Sequence, residues 1–192
     1  MFWLLKYIFQ NTQAPTDVQK YLAFSKSSIV ADYNWNNRRV ILRAGVKILT
    51  EDKLYHNRAD VLVHITNPDE IFVIEVYIAH LQNIEIQEKI KNVRYSDNSV
   101  MHITPENVNN APRDNNIVDH LKRTYKCPVN FGVLVIGSLG EMLRTKNHHQ
   151  TLGILSQLGI GEKLSEKFLL KCSVSSATSS TKMIIDTLKI KN

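Results

Sequence analysis

Apolar positions along this chain first follow strand periods and then helical ones. VILRAGVKIL (residues 40–49) reads as a strand, bent at Gly45, and DVLVHIT (60–66) as a second. NPDE (67–70) is a turn signal and IFVIEVYIA (71–79) a third strand, so the short connections predict an antiparallel meander. After Asn83 the period lengthens. Ile86, Ile90 and Val93 recur at i, i+4 and i+7 and predict the buried face of a helix. Gln87, Lys91 and Arg94 fall on a different, polar face, with Tyr95 one turn beyond Lys91. A loop rich in Asn and Pro (101–116), a helix (117–126) and a buried strand, FGVLVIG (131–137), come next. GSLG (137–140) reads as a turn into another helix. Helices over 147–158, 161–171 and 178–190 complete the chain, with SVSSATSS (173–180) as a connection and helix start. Upstream, TQAP (12–15) reads as a loop and 18–31 as a helix with Val18, Tyr21, Leu22 and Ile29 inward, followed by a polar turn, DYNWNNRR.

The order is helix, three strands, two helices, strand, then helices, which is α+β. It divides into an N-terminal helical segment (1–34) trailing from an upstream region, a core (35–140) and a C-terminal helical extension packed on that core (141–192). At 192 residues the chain can bury one substantial core. Its 43% hydrophobic and 22% charged content is that of an ordinary soluble globular protein. No run approaches the roughly 20 apolar residues of a membrane span, because Lys6 interrupts MFWLLKYIFQ. Cys127 and Cys172 match no zinc spacing and no disulfide framework, which fits a reducing compartment, nuclear or cytoplasmic. Lysines and arginines outnumber acids 24 to 18, a net +6 that suits a polyanionic partner such as nucleic acid.

Glu75 lies inside the most apolar strand. Buried without a partner, a carboxylate there costs several kcal/mol. Alternation puts it on one face with Ile71, Val73 and Tyr77. In a hairpin turning at 67–70, Asp60 falls beside Tyr77 and diagonal to Glu75. Two carboxylates on adjacent strands repel unless a cation lies between them, and magnesium or manganese suits oxygen ligands while keeping waters for a phosphate substrate. Lys91, on the polar face of the next helix, is placed to stabilise developing phosphorane charge. Each residue alone has a bland reading: a strand-start aspartate, an ion-paired glutamate, a solvated lysine.

Arg58-Ala59-Asp60, Ile74-Glu75-Val76 and the helix running Asn83, Lys91, Tyr95, Asp97 resemble the PD-(D/E)XK nuclease pattern, with the lysine moved from the third strand to the helix. More closely, the chain resembles the region that follows the reverse transcriptase in LINE-like, non-long-terminal-repeat retrotransposons, over roughly residues 35–190. Val133-Leu134-Val135-Ile136-Gly137-Ser138-Leu139-Gly140 and Leu158-Gly159-Ile160 continue the likeness. The resemblance implies a restriction-endonuclease-like core and a metal-dependent endodeoxyribonuclease that nicks target DNA. Asp60 and Glu75 would hold Mg (or Mn), Lys91 would be the catalytic lysine, and Tyr95 and Asp97 would be supports borne on the helix. Glu51 would stand at an acidic position of the pattern, and Arg58 and Arg94 would be supporting or nucleic-acid-binding residues. Implied partners are DNA, the element's RNA and the reverse transcriptase region of a parent polyprotein. Ala59 departs from the usual proline, Glu75 from aspartate, and Tyr77 stands where restriction enzymes carry lysine. The alternative is a catalytically inactive module of the same fold that binds nucleic acid or protein.

Arg38, Arg39 and Arg43 alternate with apolar residues and could flank a DNA groove through phosphate contacts, or form a solvated strand face. His148-His149 lacks a third metal ligand at helical spacing. GSLG lacks the lysine and Ser/Thr of a P-loop.

Overall fold

The computed structural model describes residues 2–14, 29–48, 50, 54, 57–95 and 116–190. Within them the predicted meander is present, one strand longer. β1 (Ile29–Trp35), β2 (Arg38–Ala44), β3 (Val61–Ile65) and β4 (Glu70–Ala79) pair antiparallel in turn, and β5 (Val129–Gly137) pairs parallel with β4. The result is a five-stranded mixed sheet in sequence order within an α+β chain. The reversal between β4 and β5 requires a long connection. It carries α2 (Ile84–Tyr95), entered through a 3₁₀ turn at Leu81–Asn83, and α3 (Ile117–Tyr125). The remaining helices are α1 (Phe2–Asn11), α4 (Lys146–Gln157) and α5 (Glu162–Ile190).

Alternation along the strands sorts the core into two layers. Phe72 and Ile74 of β4, Val61, Val63 and Ile65 of β3, and Leu134 and Ile136 of β5 pack with Leu4 and Ile8 of α1, Leu155 of α4 and Phe168 of α5. Ile71 and Val73 face the other way, with Phe131, Val133 and Val135, against Ile84 and Tyr95 of α2 and Val118 and Leu121 of α3. The sheet is thus covered on both faces, and Glu75 belongs by alternation to the second.

Several expectations change. Residues 29–31 are not helical but open β1, and the expected boundary after residue 34 falls inside that strand. DYNWNNRR is two strand ends around a tight turn. Asn36 and Asn37 both take positive φ (50° and 59°), the left-handed pair of a type I′ hairpin. The rest of the expected helix, with Val18, Tyr21 and Leu22, lies outside the described residues, as do residues 101–115 of the loop expected over 101–116. The strand expected over 40–49 ends at Ala44, because Gly45 turns left-handed (φ 60°).

SVSSATSS is neither connection nor helix start but the middle of α5. Its small side chains let the helix close on the end of β5: Ser176 Oγ donates to the Gly137 carbonyl (2.8 Å) and Ser173 Oγ to that of Gly140 (2.6 Å). GSLG leads into a further loop, and α4 starts only after Thr145, whose hydroxyl caps it by accepting from His148 N–H. The inward face of α2 also differs. Ile86 is 44% exposed and Ile90 and Val93 are half-buried, whereas Ile84, Glu88 and Tyr95 are buried. The helix turns a partly polar face to the sheet.

The β5–α4 contact is tight at one residue. A Cβ on Gly132 would come within 2.9 Å of both Ile154 Cδ1 and Thr151 Oγ1 and 3.3 Å of Thr151 Cα. Gly153, on the far side of α4, has no neighbour within 4 Å of such an atom. Gly132→Ala is therefore expected to destabilise the fold by about 1–3 kcal/mol. Gly153→Ala is expected to stabilise it by roughly 0.5–1 kcal/mol, through helix propensity. Urea unfolding of the two variants checks this, and shifts of the same sign would contradict the packing described.

Candidate metal and phosphate site on strands three and four

β4 outruns β3. Their ladder ends at the pair Val61–Ile74, where Asp60 swings out of strand geometry. Side chains then replace the missing rungs. Asp60 N–H donates to Glu75 Oε1 (3.0 Å), and Val76 N–H donates to Asp60 Oδ2 (2.8 Å). Each carboxylate accepts a backbone donor from the opposite strand, a reciprocal clasp that satisfies two N–H groups at once. The Asp60 carbonyl is held as well, accepting from Gly45 N–H (3.0 Å). The register places Asp60 in line with Glu75, not beside Tyr77 as the sequence suggested. The two carboxylates meet more directly than expected.

Lys91 completes the group. From α2 its Nζ donates to Glu75 Oε2 at 2.8 Å. The same ammonium lies 5.4 Å from the Tyr77 ring centroid and 5.3 Å from that of Tyr95, within cation–π range of both. Tyr95 stacks on Phe131 (5.9 Å, 16° between planes). Its hydroxyl donates to the Arg58 carbonyl (3.5 Å). α2 is anchored one turn earlier by buried Glu88, which accepts from the Thr145 hydroxyl (2.9 Å). Sequence reading gave Glu88 and Tyr77 no part in holding Lys91. The available signal was spacing: Ile84, Glu88, Lys91 and Tyr95 recur at i, i+4, i+7 and i+11, a helix face hidden because half of it is charged.

Glu75 is 1% exposed. Burial raises its pKa above the ordinary 4.5, Asp60's negative charge raises it further, and Lys91 and the Asp60 N–H pull it back. Two carboxylates face one ammonium, so one negative charge is left over. A hard divalent cation fits that surplus. Asp60 Oδ1 takes no hydrogen bond from a described residue, and a carboxylate oxygen with one donor keeps a free lone pair. Magnesium commonly uses only one or two protein carboxylates and fills its shell with water and phosphate oxygens. Among the described residues no group of three or more His, Cys, Asp or Glu could hold a metal ion, so this pair would be the whole contribution of the described residues.

The other expected residues are dispersed or engaged. Glu51 and Asp97 lie outside the described residues. Arg58 is exposed, in an isolated bridge with Lys47, and Arg94 is half-buried on α2. Arg39 grips the Asp32 carboxylate through two nitrogens, and Arg38 donates to the Thr66 and Pro68 carbonyls, so both are tied to the protein itself. Arg43 lines a small cavity with His64 and Tyr125. His148 and His149 meet ring edge to face (5.9 Å). No described helix is long and apolar enough to cross a membrane.

The electrostatics predict opposite shifts. In a carbon-detected NMR titration Glu75 is expected to titrate above 4.5. Asp60→Asn should move the midpoint down by removing a like charge, and Lys91→Met should move it up by removing the attractive one. Because the folded pKa is raised, protonated Glu75 favours folding below its unfolded pKa, and that contribution is lost as pH rises through the raised value. A midpoint indifferent to both substitutions would refute the coupling.

Compared with protein-family models, curated proteins and solved structures, the chain matches none.

Proposed function

We propose that this chain is a metal-dependent endonuclease-like domain of retrotransposon origin, with a restriction-endonuclease-like core, that nicks DNA by hydrolysing a phosphodiester. The observation that carries the reading is the clasp itself: Asp60 and Glu75 joined across two strands, with the Lys91 ammonium 2.8 Å from Glu75. A divalent cation held there would supply an activated water and neutralise phosphate charge. The chain's own part is positional. The two carboxylates fix the side from which a phosphate approaches, and Lys91, steadied between two tyrosine rings, offers positive charge where the pentacovalent phosphorus gains negative charge. The net charge of +6 favours a polyanionic substrate.

A specific feature favours the inactive alternative. Both Glu75 oxygens already have protein donors, so the group can close on itself as a structural ion pair without a metal. Nicking of supercoiled plasmid in magnesium or manganese separates the two. The active reading expects a metal requirement abolished by chelator and no detectable nicking by Asp60→Ala. Lys91→Ala should lower the rate by about 10²–10³-fold, the usual cost of one electrostatic contact at a transition state. DNA binding without nicking, or wild-type activity in Asp60→Ala, would establish the inactive module or remove Asp60 from the chemistry.

A further inference from the structure

β4 continues past β3, so Tyr77–Ala79 pair only with β5, and the chain turns back into α2 directly above them. The angle between the strand end and the turn that leads into α2 leaves an open cavity of about 190 Å³, walled by Tyr77, His80, Asn83, Gln87 and Ser138 together with the strand residues Ile78 and Ala79. Tyr77 links it to Lys91. Tyr77, 38% exposed, forms part of the wall, and its ring centroid is 5.4 Å from Lys91 Nζ. Gln87 and Lys91, four apart on α2, form one ridge that rises roughly 6 Å per step, and Asn83, the last residue of the 3₁₀ turn leading into the helix, stands four residues before Gln87. A strand whose phosphate lay at Lys91 would meet this cavity next.

The lining differs from the neighbouring site in kind. Among the described residues it contains no lysine, arginine, aspartate or glutamate, so nothing in it is matched to a phosphate. It offers an aromatic ring, two carboxamides, an imidazole and a hydroxyl. The Asn83 and Gln87 side-chain amides make no hydrogen bond to another described residue. Each therefore has a donor and an acceptor to present side by side, the arrangement that complements a base edge. Aromatic faces stack on bases of any sequence. A base inside a duplex is already paired and stacked, so the occupant would have to be unpaired.

We infer that this cavity binds the unpaired nucleobase of the nucleotide adjoining the phosphate held at Lys91, an inference that rests on the nuclease reading above. The base stacks against Tyr77, and Asn83 and Gln87 read its edge. The preferred substrate is accordingly single-stranded or locally opened DNA.

Binding without cleavage tests this. Wild type and the double variant Asn83→Ala/Gln87→Ala, one substitution on the exposed 3₁₀ turn and one at a half-buried position of α2, are titrated by fluorescence anisotropy in chelator. The probe is a short labelled single-stranded DNA with one abasic position moved stepwise along it. Wild-type affinity is expected to fall about tenfold when the abasic position coincides with the cavity and little elsewhere. The double variant should show a flat profile near the weakened wild-type value. A flat profile in wild type, or an unchanged peak in the variant, would overturn the inference. Failure of the nuclease reading shows separately, as a position-dependent binding profile in a protein that never nicks plasmid with magnesium or manganese.

Discussion

A carboxylate buried to 1% exposure inside a sheet has to be answered by its surroundings, and much of this structure is arranged around Glu75. Hydrogen bonds reach it from two directions: the Asp60 backbone at the head of β3 and the Lys91 ammonium from α2. Removing Lys91 would leave the charge without its only cation among these partners, the circumstance in which buried ion pairs matter most. The orientation of α2 follows from this demand. Had the helix buried Ile86, Ile90 and Val93, Lys91 would have pointed away from the strand. Instead it buries Glu88 and Tyr95, each with a polar partner, and Ile86 is left toward solvent.

That choice explains which parts of the fold could be read from the sequence. β3, β4 and β5 are rich in Val and Ile with plain boundaries, and they lie within two residues of where the pattern put them. β1 was missed because Asp32 and Asn34 occupy its outward positions. They made DYNW resemble the start of a turn and left Ile29–Ala31 to the end of the expected helix, although Ile29, Ala31 and Tyr33 alternate inward as a strand requires. The serine-rich middle of α5 was read as a break because serine prefers caps and turns. Here tertiary contact overrides that preference, since Ser173 and Ser176 spend their hydroxyls on the carbonyls of the loop beneath.

The candidate site was legible in its members but not in its joinery. Asp60, Glu75 and Lys91 stand out as charges at the edge of apolar segments. What they do to one another depends on register, and a slip of two residues separates a diagonal approach from a direct clasp. The alternation argument that put Glu75 on the Ile71–Val73 face needed only the strand period, and the second core layer lies on that side. The arginines show the opposite case. Arg38 and Arg39 resemble phosphate contacts in sequence, yet the hairpin turns one onto Asp32 and the other onto loop carbonyls, partners remote in the linear text.

Two of the three departures from the nuclease pattern proposed for this chain, Glu75 and Tyr77, make physical sense together. Glutamate is one methylene longer than aspartate, and Glu75 uses that reach to accept from Asp60 on β3 with one oxygen and from Lys91 with the other. Tyr77, two residues on and therefore on the same face, presents a ring at the strand position where restriction enzymes carry the lysine. Its ring is part of the cradle that receives a lysine from the helix, at 5.4 Å. A lysine at residue 77 would instead have placed a second ammonium beside the first, at a point where two carboxylates already leave only one charge to neutralise. The ring makes room for the helix-borne cation, and its exposed side opens toward the uncharged cavity below Asn83 and Gln87. With the lysine on the helix, residue 77 is free to form a boundary between a charged pocket and a neutral one.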